Sequence, residues 1–360
     1  MSKRLLIGAL AGCLLLTAAP AEAAPAPVRF LGEQLVPHAP TFDGTTVGGL
    51  SGVDYDPRTG QYVFISDDRS ALQPARFYTA KIPVGTRGVG TVTFTGTHPL
   101  RRADGTTYPA QGVDPEDIRT DPWTGNYLWS QEGDRTATVL ADPSIQLSER
   151  DGAYVRALPI PDNERMLPDS GPRQNLVLEG LTYAAGGTLV VSALEGPLLQ
   201  DGPVPTAEQG ALSRITVQAR TGAILAQYAY PQEPVFAPGA GGSTGVSSIL
   251  AADPLDPARY LVMERSFVPG VGNKVRIYEI DTRGATNVLH TGSLVGAKVQ
   301  PVRKKLLLDL ADFPLSKVDN VEGMTWGPTL PGGDRTLVLV SDDNFSASQI
   351  TQVIAFAVRR

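Results

Sequence analysis

Residues 318–328 read VDNVEGMTWGP, and residues 337–345 read LVLVSDDNF. An apolar run that stops at three acceptor side chains, Asp342, Asp343 and Asn344, has the form of a strand ending in a turn. The chain repeats this form. Residues 49–69, GLSGVDYDPRTGQYVFISDDR, close on Asp67 and Asp68, and residues 115–135, PEDIRTDPWTGNYLWSQEGDR, close on Glu132 and Asp134. Residues 178–196, LEGLTYAAGGTLVVSALEG, close on Glu195, and a weaker copy at residues 246–267 carries Glu264 and Arg265 at that place. With Ser51, Glu116, Glu179, Ser247 and Glu322 as equivalent starts, the spacings are 65, 63, 68 and 75 residues. Self-similarity at a fixed period is the mark of a repeat architecture.

Between the repeats the signals are β throughout. Apolar or alternating runs of strand length recur, for instance at residues 62–65, 127–130, 189–192, 260–263 and 336–340. Asp-Pro pairs at Asp56-Pro57, Asp121-Pro122 and Asp253-Pro254 fall between the first two strands of their units. Asp bonds the backbone ahead of it and Pro presets φ, so these are turns with a mechanism. The best helical stretch, residues 306–313, is short. Each unit therefore holds about four strands, which is the content of a propeller blade. The last unit is short, and residues 28–35 form a spare strand that would complete it and close the ring. The expectation is an all-β, five-bladed propeller. The unit from Ser247 is long enough to hold extra strands at residues 298–309, which would make six blades.

Composition narrows the partners. The net charge is -6, and the longest basic tract is Arg303-Lys304-Lys305, so the basic footprint that nucleic acid requires is missing. Lys3 and Arg4 precede an apolar run to Leu16, and Ala21-Glu22-Ala23 forms an A-x-A cleavage site. The run is too short to span a bilayer, so residues 1–23 read as a secretory signal, residues 24–47 as the segment carrying the closing strand, and residues 48–360 as the propeller domain. The single cysteine, Cys13, lies in a lipobox-like Leu10-Ala11-Gly12-Cys13, so lipid anchoring at Cys13 is the alternative to plain secretion. A monomer is expected.

Inner strands of a propeller line its channel, so the early acids Glu116, Glu179 and Glu322 and the closing acids would crowd one end of it. Converging carboxylates repel unless a cation or a buried Arg partners them. Hard cations such as Ca²⁺ take oxygen ligands, whereas His38, His98 and His290 stand outside the repeat positions and give little basis for zinc or copper. The plain structural reading is that such acids cap turns or pair with Arg69, Arg135 and Arg265 nearby. A nucleophilic hydrolase has weak support: Gly241-Gly242-Ser243-Thr244-Gly245 matches G-x-S-x-G but lies in a Gly-rich loop.

Taken together, LSGVDYDP…YVFISDDR, the Glu-Gly starts, PVRKKLLLDL and VDNVEGMTWGP…RTLVLVSDDNFS…QITQVIAFAV resemble the phytase-like family, described as "esterase-like activity of phytase", from about Gly48 to the C-terminus. The resemblance implies a secreted or envelope-associated bacterial β-propeller. By analogy with calcium-dependent propeller phytases, it implies a phosphoester or other ester hydrolase; the alternative is a non-catalytic, ligand-binding propeller of the cell envelope. The family pattern falls on Ser51, Asp67, Asp68, Arg69, Glu116, Glu132, Glu179, Glu195, Asp319, Asn320, Glu322, Ser341, Asp342, Asp343 and Asn344. The roles expected are catalysis for Glu322, Glu179 and Glu116, and Ca²⁺ ligation for Asp67, Asp68, Asp342, Asp343 and Asn344. Arg69, Arg135 and Arg265 are expected to bind a small anionic or ester substrate. The fourth unit departs from the pattern at Ser247, Ser248 and Met263-Glu264-Arg265, which favours an off-axis site where the two SDD copies meet.

Overall fold

The computed structural model describes residues 28–359; the leader sequence and Cys13 lie outside the described residues. Five four-stranded antiparallel sheets form the body of the described chain, with three small two-stranded ribbons in its loops. Blade 1 is Leu50–Asp56, Gln61–Ser66, Arg76–Lys81 and Thr93–Pro99. Blade 2 is Pro115–Thr120, Tyr127–Gln131, Ser144–Ser148 and Tyr154–Leu158. Blade 3 is Leu178–Ala184, Leu189–Leu194, Leu212–Ala219 and Ile224–Pro231. Blade 4 is Ser243–Ala251, Arg259–Val268, Gly272–Asp281 and Arg303–Asp309. Blade 5 is Val321–Thr329, Arg335–Ser341, Thr351–Val358 and, from the other end of the chain, Val28–Val36.

The inner strands touch in the order 1-2-3-4-5-1, so the ring is closed. Its seam is the antiparallel pairing of Val28–Val36 with Thr351–Val358, where Val28 faces Val358 and Val36 faces Thr351. The blade count is five, not six. The long fourth unit carries an extended connection between its third and fourth strands, and residues 298–309 supply only the fourth strand. The stretch with the best helical pattern is the end of that strand, followed by a single 3₁₀ turn at Leu310–Asp312.

Five apolar cores lie between consecutive blades, and the strand pattern explains them. Successive side chains point to opposite faces, so Tyr62 and Phe64 pack toward blade 5 while Val63 and Ile65 pack toward blade 2. Likewise Val338 and Val340 face blade 1, and Leu337 and Leu339 face blade 4. A strand buried on both faces reads as a continuous apolar run rather than an alternating one. Each such side chain contributes about 1.5–3 kcal/mol on full burial. Among the described residues no helix is long and apolar enough to cross a membrane.

Candidate functional site

All five inner strands carry a register shift at the same place. Leu50 faces Ser66 and Gly52 faces Ile65, leaving Ser51 as an extra residue. In the same way Glu179 is extra between Leu178 and Gly180, Ser247 between Val246 and Ser248, and Glu322 between Val321 and Gly323. In blade 2 the irregularity spans Glu116 and Asp117. A bulge re-aims a side chain next to functional sites, and the residue re-aimed here is the one that recurs in the sequence. The glycine after the bulge lets the next inner strand approach: a Cβ at Gly180 would lie 2.8 Å from the Ile249 nitrogen, and one at Gly323 would lie 3.0 Å from the Ser51 carbonyl oxygen. Where the bulge carries serine, its hydroxyl latches the next blade. Ser51 donates to the Glu116 carbonyl at 2.6 Å and Ser247 to the Val321 carbonyl at 3.3 Å.

The second strands supply an equivalent set. Ser66, Gln131, Leu194, Glu264 and Ser341 face the residue before each bulge, and the residues that follow them are Asp67, Glu132, Glu195, Arg265 and Asp342. Thus the two sets hold carboxylates at Glu116, Glu179, Glu322, Asp67, Glu132, Glu195 and Asp342, serines at Ser51 and Ser247, and one cation, Arg265. Arg265 lies 3.3 Å from the Glu322 carboxylate and 3.6 Å from that of Glu195.

These acids form one electrostatic body. Burial, then Glu179, Asp114, Glu132 and Asp67, push Glu116 well above the usual carboxylate range. Burial, then Glu195, Glu132 and Glu322, do the same to Glu179. Asp342 is raised by burial, then by Asp67 and Glu322, which places it beside Glu322 at the same end of blade 5. Glu195 is pushed up to about 7 by burial, against the pull of Arg265, and Asp114 to about 6 by burial, against the pull of Arg69. Burial works against charge on Arg265, yet Glu322, Glu195, Glu179 and Asp342 together hold its pKa above the ordinary value.

Two sets have ligand geometry. Asp114, Glu116 and Glu132 each place a carboxylate oxygen within 4.8 Å of the others, as do Glu132, Glu179 and Glu195. Glu132 belongs to both, and one of its oxygens also accepts from the Val177 N–H at 2.7 Å. Both sets lie over blades 2 and 3 rather than at the seam between blades 5 and 1. Asp67, nearer the seam, has a buried Oδ1 with no hydrogen-bond partner. All-oxygen donor sets of this kind, with more carboxylates than neighbouring arginines, fit a hard cation such as Ca²⁺.

The neighbouring acids of each SDD copy part company. Asp68 accepts from the N–H groups of Ala71, Leu72 and Gln73 and from Arg76 at 2.6 Å, so it folds its loop and its pKa is lowered. Asp343 accepts from the N–H groups of Gly49 and Phe345, tying blade 5 to blade 1. Asn344 is an exposed turn residue at φ 45°, a conformation that Asn tolerates. Among the arginines, Arg69 lies 3.4 Å from Asp114, and the Nε atoms of both Arg69 and Arg265 are buried without a hydrogen-bond partner. Arg135 donates instead to the carbonyl oxygens of Leu167, Ser170 and Pro172. Sequence reasoning did not single out Asp114, although it stands two residues before Glu116. Ser243 is an exposed residue at the start of a strand, and no helix follows it to form a nucleophile elbow.

Below the acids the channel is stopped by Arg119. Its guanidinium donates to the carbonyls of Met324 at 2.7 Å, Val53 at 3.1 Å and Ile249 at 3.4 Å, to that of Leu181, and to the Asp117 carboxylate at 2.7 Å. One side chain of blade 2 thus bonds the inner strands of the four other blades. The sequence carried no signal for this reach.

Among solved structures, the chain is similar to the Dos1 propeller (6% identity, 86% of this chain and 68% of that one, TM-score 0.36). It is also similar to a putative exo-β-1,3-galactanase from Bifidobacterium bifidum s17 (12% identity, 92% and 94%, TM-score 0.42) and to a glucose dehydrogenase (11% identity, 92% and 99%, TM-score 0.39). No curated protein matches it. The family model described as "Esterase-like activity of phytase" matches residues 45–345. That span runs from just before the first inner strand to just past Asp343 and takes in every bulge and every second-strand end described above, so the chain belongs to the phytase-like family.

Proposed function

We propose that the protein is a metal-assisted hydrolase of phosphomonoesters or related esters, working at the acidic mouth of the propeller. The observation that carries the reading is the pair of buried carboxylate sets sharing Glu132, five acids against two flanking arginines, Arg265 at Glu195 and Arg69 at Asp114. Asp114, Glu116, Glu132, Glu179 and Glu195 would hold calcium. Bound there, it supplies charge neutralisation for an anionic substrate and Lewis acidity. The chain's own groups do the rest. Arg265, whose Nε has no hydrogen-bond partner, and Arg69, ion-paired with Asp114 at 3.4 Å, would orient an anion. In the ion-free chain burial raises Glu116, Glu179 and Glu195, so calcium displaces protons when it binds them, and Glu322 and Asp67, outside the two sets, are the acids left for proton transfer. On the leader sequence we also propose secretion, with anchoring at Cys13 as the alternative.

A second reading, a non-catalytic ligand-binding propeller, is favoured by Asp68 and Asp343, whose oxygens are committed to loop N–H groups. Assays on phytate, p-nitrophenyl phosphate and p-nitrophenyl acetate, with calcium and with chelator, separate the two. Calcium-dependent turnover that is lost in Glu179→Gln and Glu322→Gln supports hydrolysis. A folded, calcium-binding chain with no turnover across the panel rejects it and leaves the binding role.

A further inference from the structure

The far end of the channel, beyond Arg119, is hollow. A cavity of about 200 Å³ opens there, and all five blades contribute to it: Asp54, Thr120, Tyr183, Leu250 and Trp326 are among its walls. Arg119 separates it from the acidic mouth.

The charges at its floor do not balance. Arg119 makes a close pair with Asp117 at 2.7 Å, while Asp54 stands off at 3.8 Å. One guanidinium thus faces two carboxylates, and Asp54 is the one that lines the cavity. The Asp54 oxygens accept from the Thr325 hydroxyl and the Thr120 N–H, each at 2.7 Å, which fixes the carboxylate in place. Burial raises the Asp54 pKa against the pull of Arg119, so a second cation would stabilise its ionised form. The Thr120 hydroxyl is buried and has no partner in the protein. The Trp326 indole is held by its N–H bond to the Ala251 carbonyl at 2.8 Å, and Arg335, which stacks on it at 3.7 Å, lies outside the cavity lining. The Arg220–Asp121 pair near the rim is mutually neutralised.

An apolar, aromatic-walled concavity with a few convergent polar groups is the usual form of a small-molecule site. A void of about 150 Å³ takes one benzene ring, so this one has room for a ring and a short polar arm. We propose that the cavity binds a small primary ammonium compound bearing one compact apolar or aromatic group, with the ammonium against Asp54 and the Thr120 hydroxyl and the apolar group against Leu250, Tyr183 and Trp326. Ammonium groups are also favoured beside aromatic faces.

Benzylammonium and its neutral counterpart benzyl alcohol test this by calorimetric titration of the full chain. Saturating calcium chloride is present so that the acidic mouth is already occupied or screened. The expected result is one benzylammonium per chain, bound at least about tenfold more tightly than benzyl alcohol, with a change in tryptophan fluorescence from Trp326. Asp54→Asn should abolish that preference. Thr120→Val, which keeps the side-chain shape, should weaken the ammonium severalfold with the fold intact. Equal affinity for the two probes, no binding of benzylammonium to the folded chain, or a preference unchanged in both variants overturns the proposal.

Discussion

Arg265 holds in blade 4 the position that Glu195 holds in blade 3, and their side chains meet at 3.6 Å. In a ring of equivalent positions, a single exchange of acid for base supplies an internal counter-ion. It pairs with Glu195 and Glu322 and leaves Glu116, Glu132 and Glu179 without an ion pair among the described residues. Replacing Arg265 by Gln should therefore destabilise the calcium-free chain by about 3 kcal/mol, the scale for removing one partner of a buried pair. The same variant should bind calcium more tightly or take up an additional ion, and calcium should restore its melting temperature. Denaturant melts with and without calcium check both. A variant whose calcium affinity falls would mean that Arg265 holds the acids in a ligating arrangement rather than competing with an ion.

The pH dependence follows from the raised acids. Asp114 moves from 3.8 to about 6 and Glu195 from 4.5 to about 7 on folding. A group whose pKa rises on folding holds its proton more firmly in the native state. Its contribution is complete below the unfolded value and is lost as pH climbs through the folded one. In chelator the protein should thus melt several degrees higher near pH 5 than near pH 8. Calcium should cancel or reverse the difference, and its binding at pH 7 should release protons. A melting temperature that rises with pH over this window in chelator would contradict the assignment.

The bulge glycines make a packing prediction. Gly180→Ala and Gly323→Ala place a methyl against the Ile249 nitrogen and the Ser51 carbonyl of the neighbouring blades. Each should cost about 1–3 kcal/mol by overpacking and should weaken calcium binding, because the adjacent Glu179 and Glu322 are displaced. Gly60→Ala is a weak comparator, since its φ of 67° strains any side chain although its surroundings are open.

At the channel stop, Arg119→Lys retains the charge but not the planar fork that reaches four inner strands. It should lower stability by about 3 kcal/mol or more, measured by urea unfolding. Survival of full stability would show that the carbonyls Arg119 bridges are satisfied by water instead.

How much of this was legible beforehand differs by residue. The period located the bulge residues Glu116, Glu179 and Glu322, because a feature that recurs once per blade leaves a recurring letter. The strand content gave the blades, and the length of the fourth unit blurred the count only because a long connection precedes its last strand. The pairs Asp67-Asp68 and Asp342-Asp343 could not be parted by reading. Both pairs follow the strand ends at Ser66 and Ser341, where strand alternation no longer applies, and only the folded loops show Asp68 and Asp343 bound to loop N–H groups. Arg135 shares a neighbourhood with the acids in sequence, yet its guanidinium is held by the carbonyls of Leu167, Ser170 and Pro172. Arg119 gave no sign, since contacts with four distant strands leave no local pattern.

Deleting residues 28–36 tests the seam. Thr351–Val358 would become an open edge bearing Val353, Ile354 and Phe356, and unpaired apolar edges promote association. The chain without residues 28–36 should lose cooperative unfolding and aggregate, as read by calorimetry and light scattering. Melting like that of the full chain would show that the ring does not depend on its first strand.

That same seam sets a clock on biogenesis. Among the described strands Val28–Val36 is the earliest to be synthesised, and its partner, Thr351–Val358, is the last. At about 5–20 residues per second, the first strand waits roughly 15 to 60 s for the segment it must pair with. Throughout that interval it is available to chaperones, translocation machinery or proteases, while blades 1 to 4 have all their strands in hand. A polypeptide interrupted anywhere before residue 351 leaves this first strand permanently unmatched.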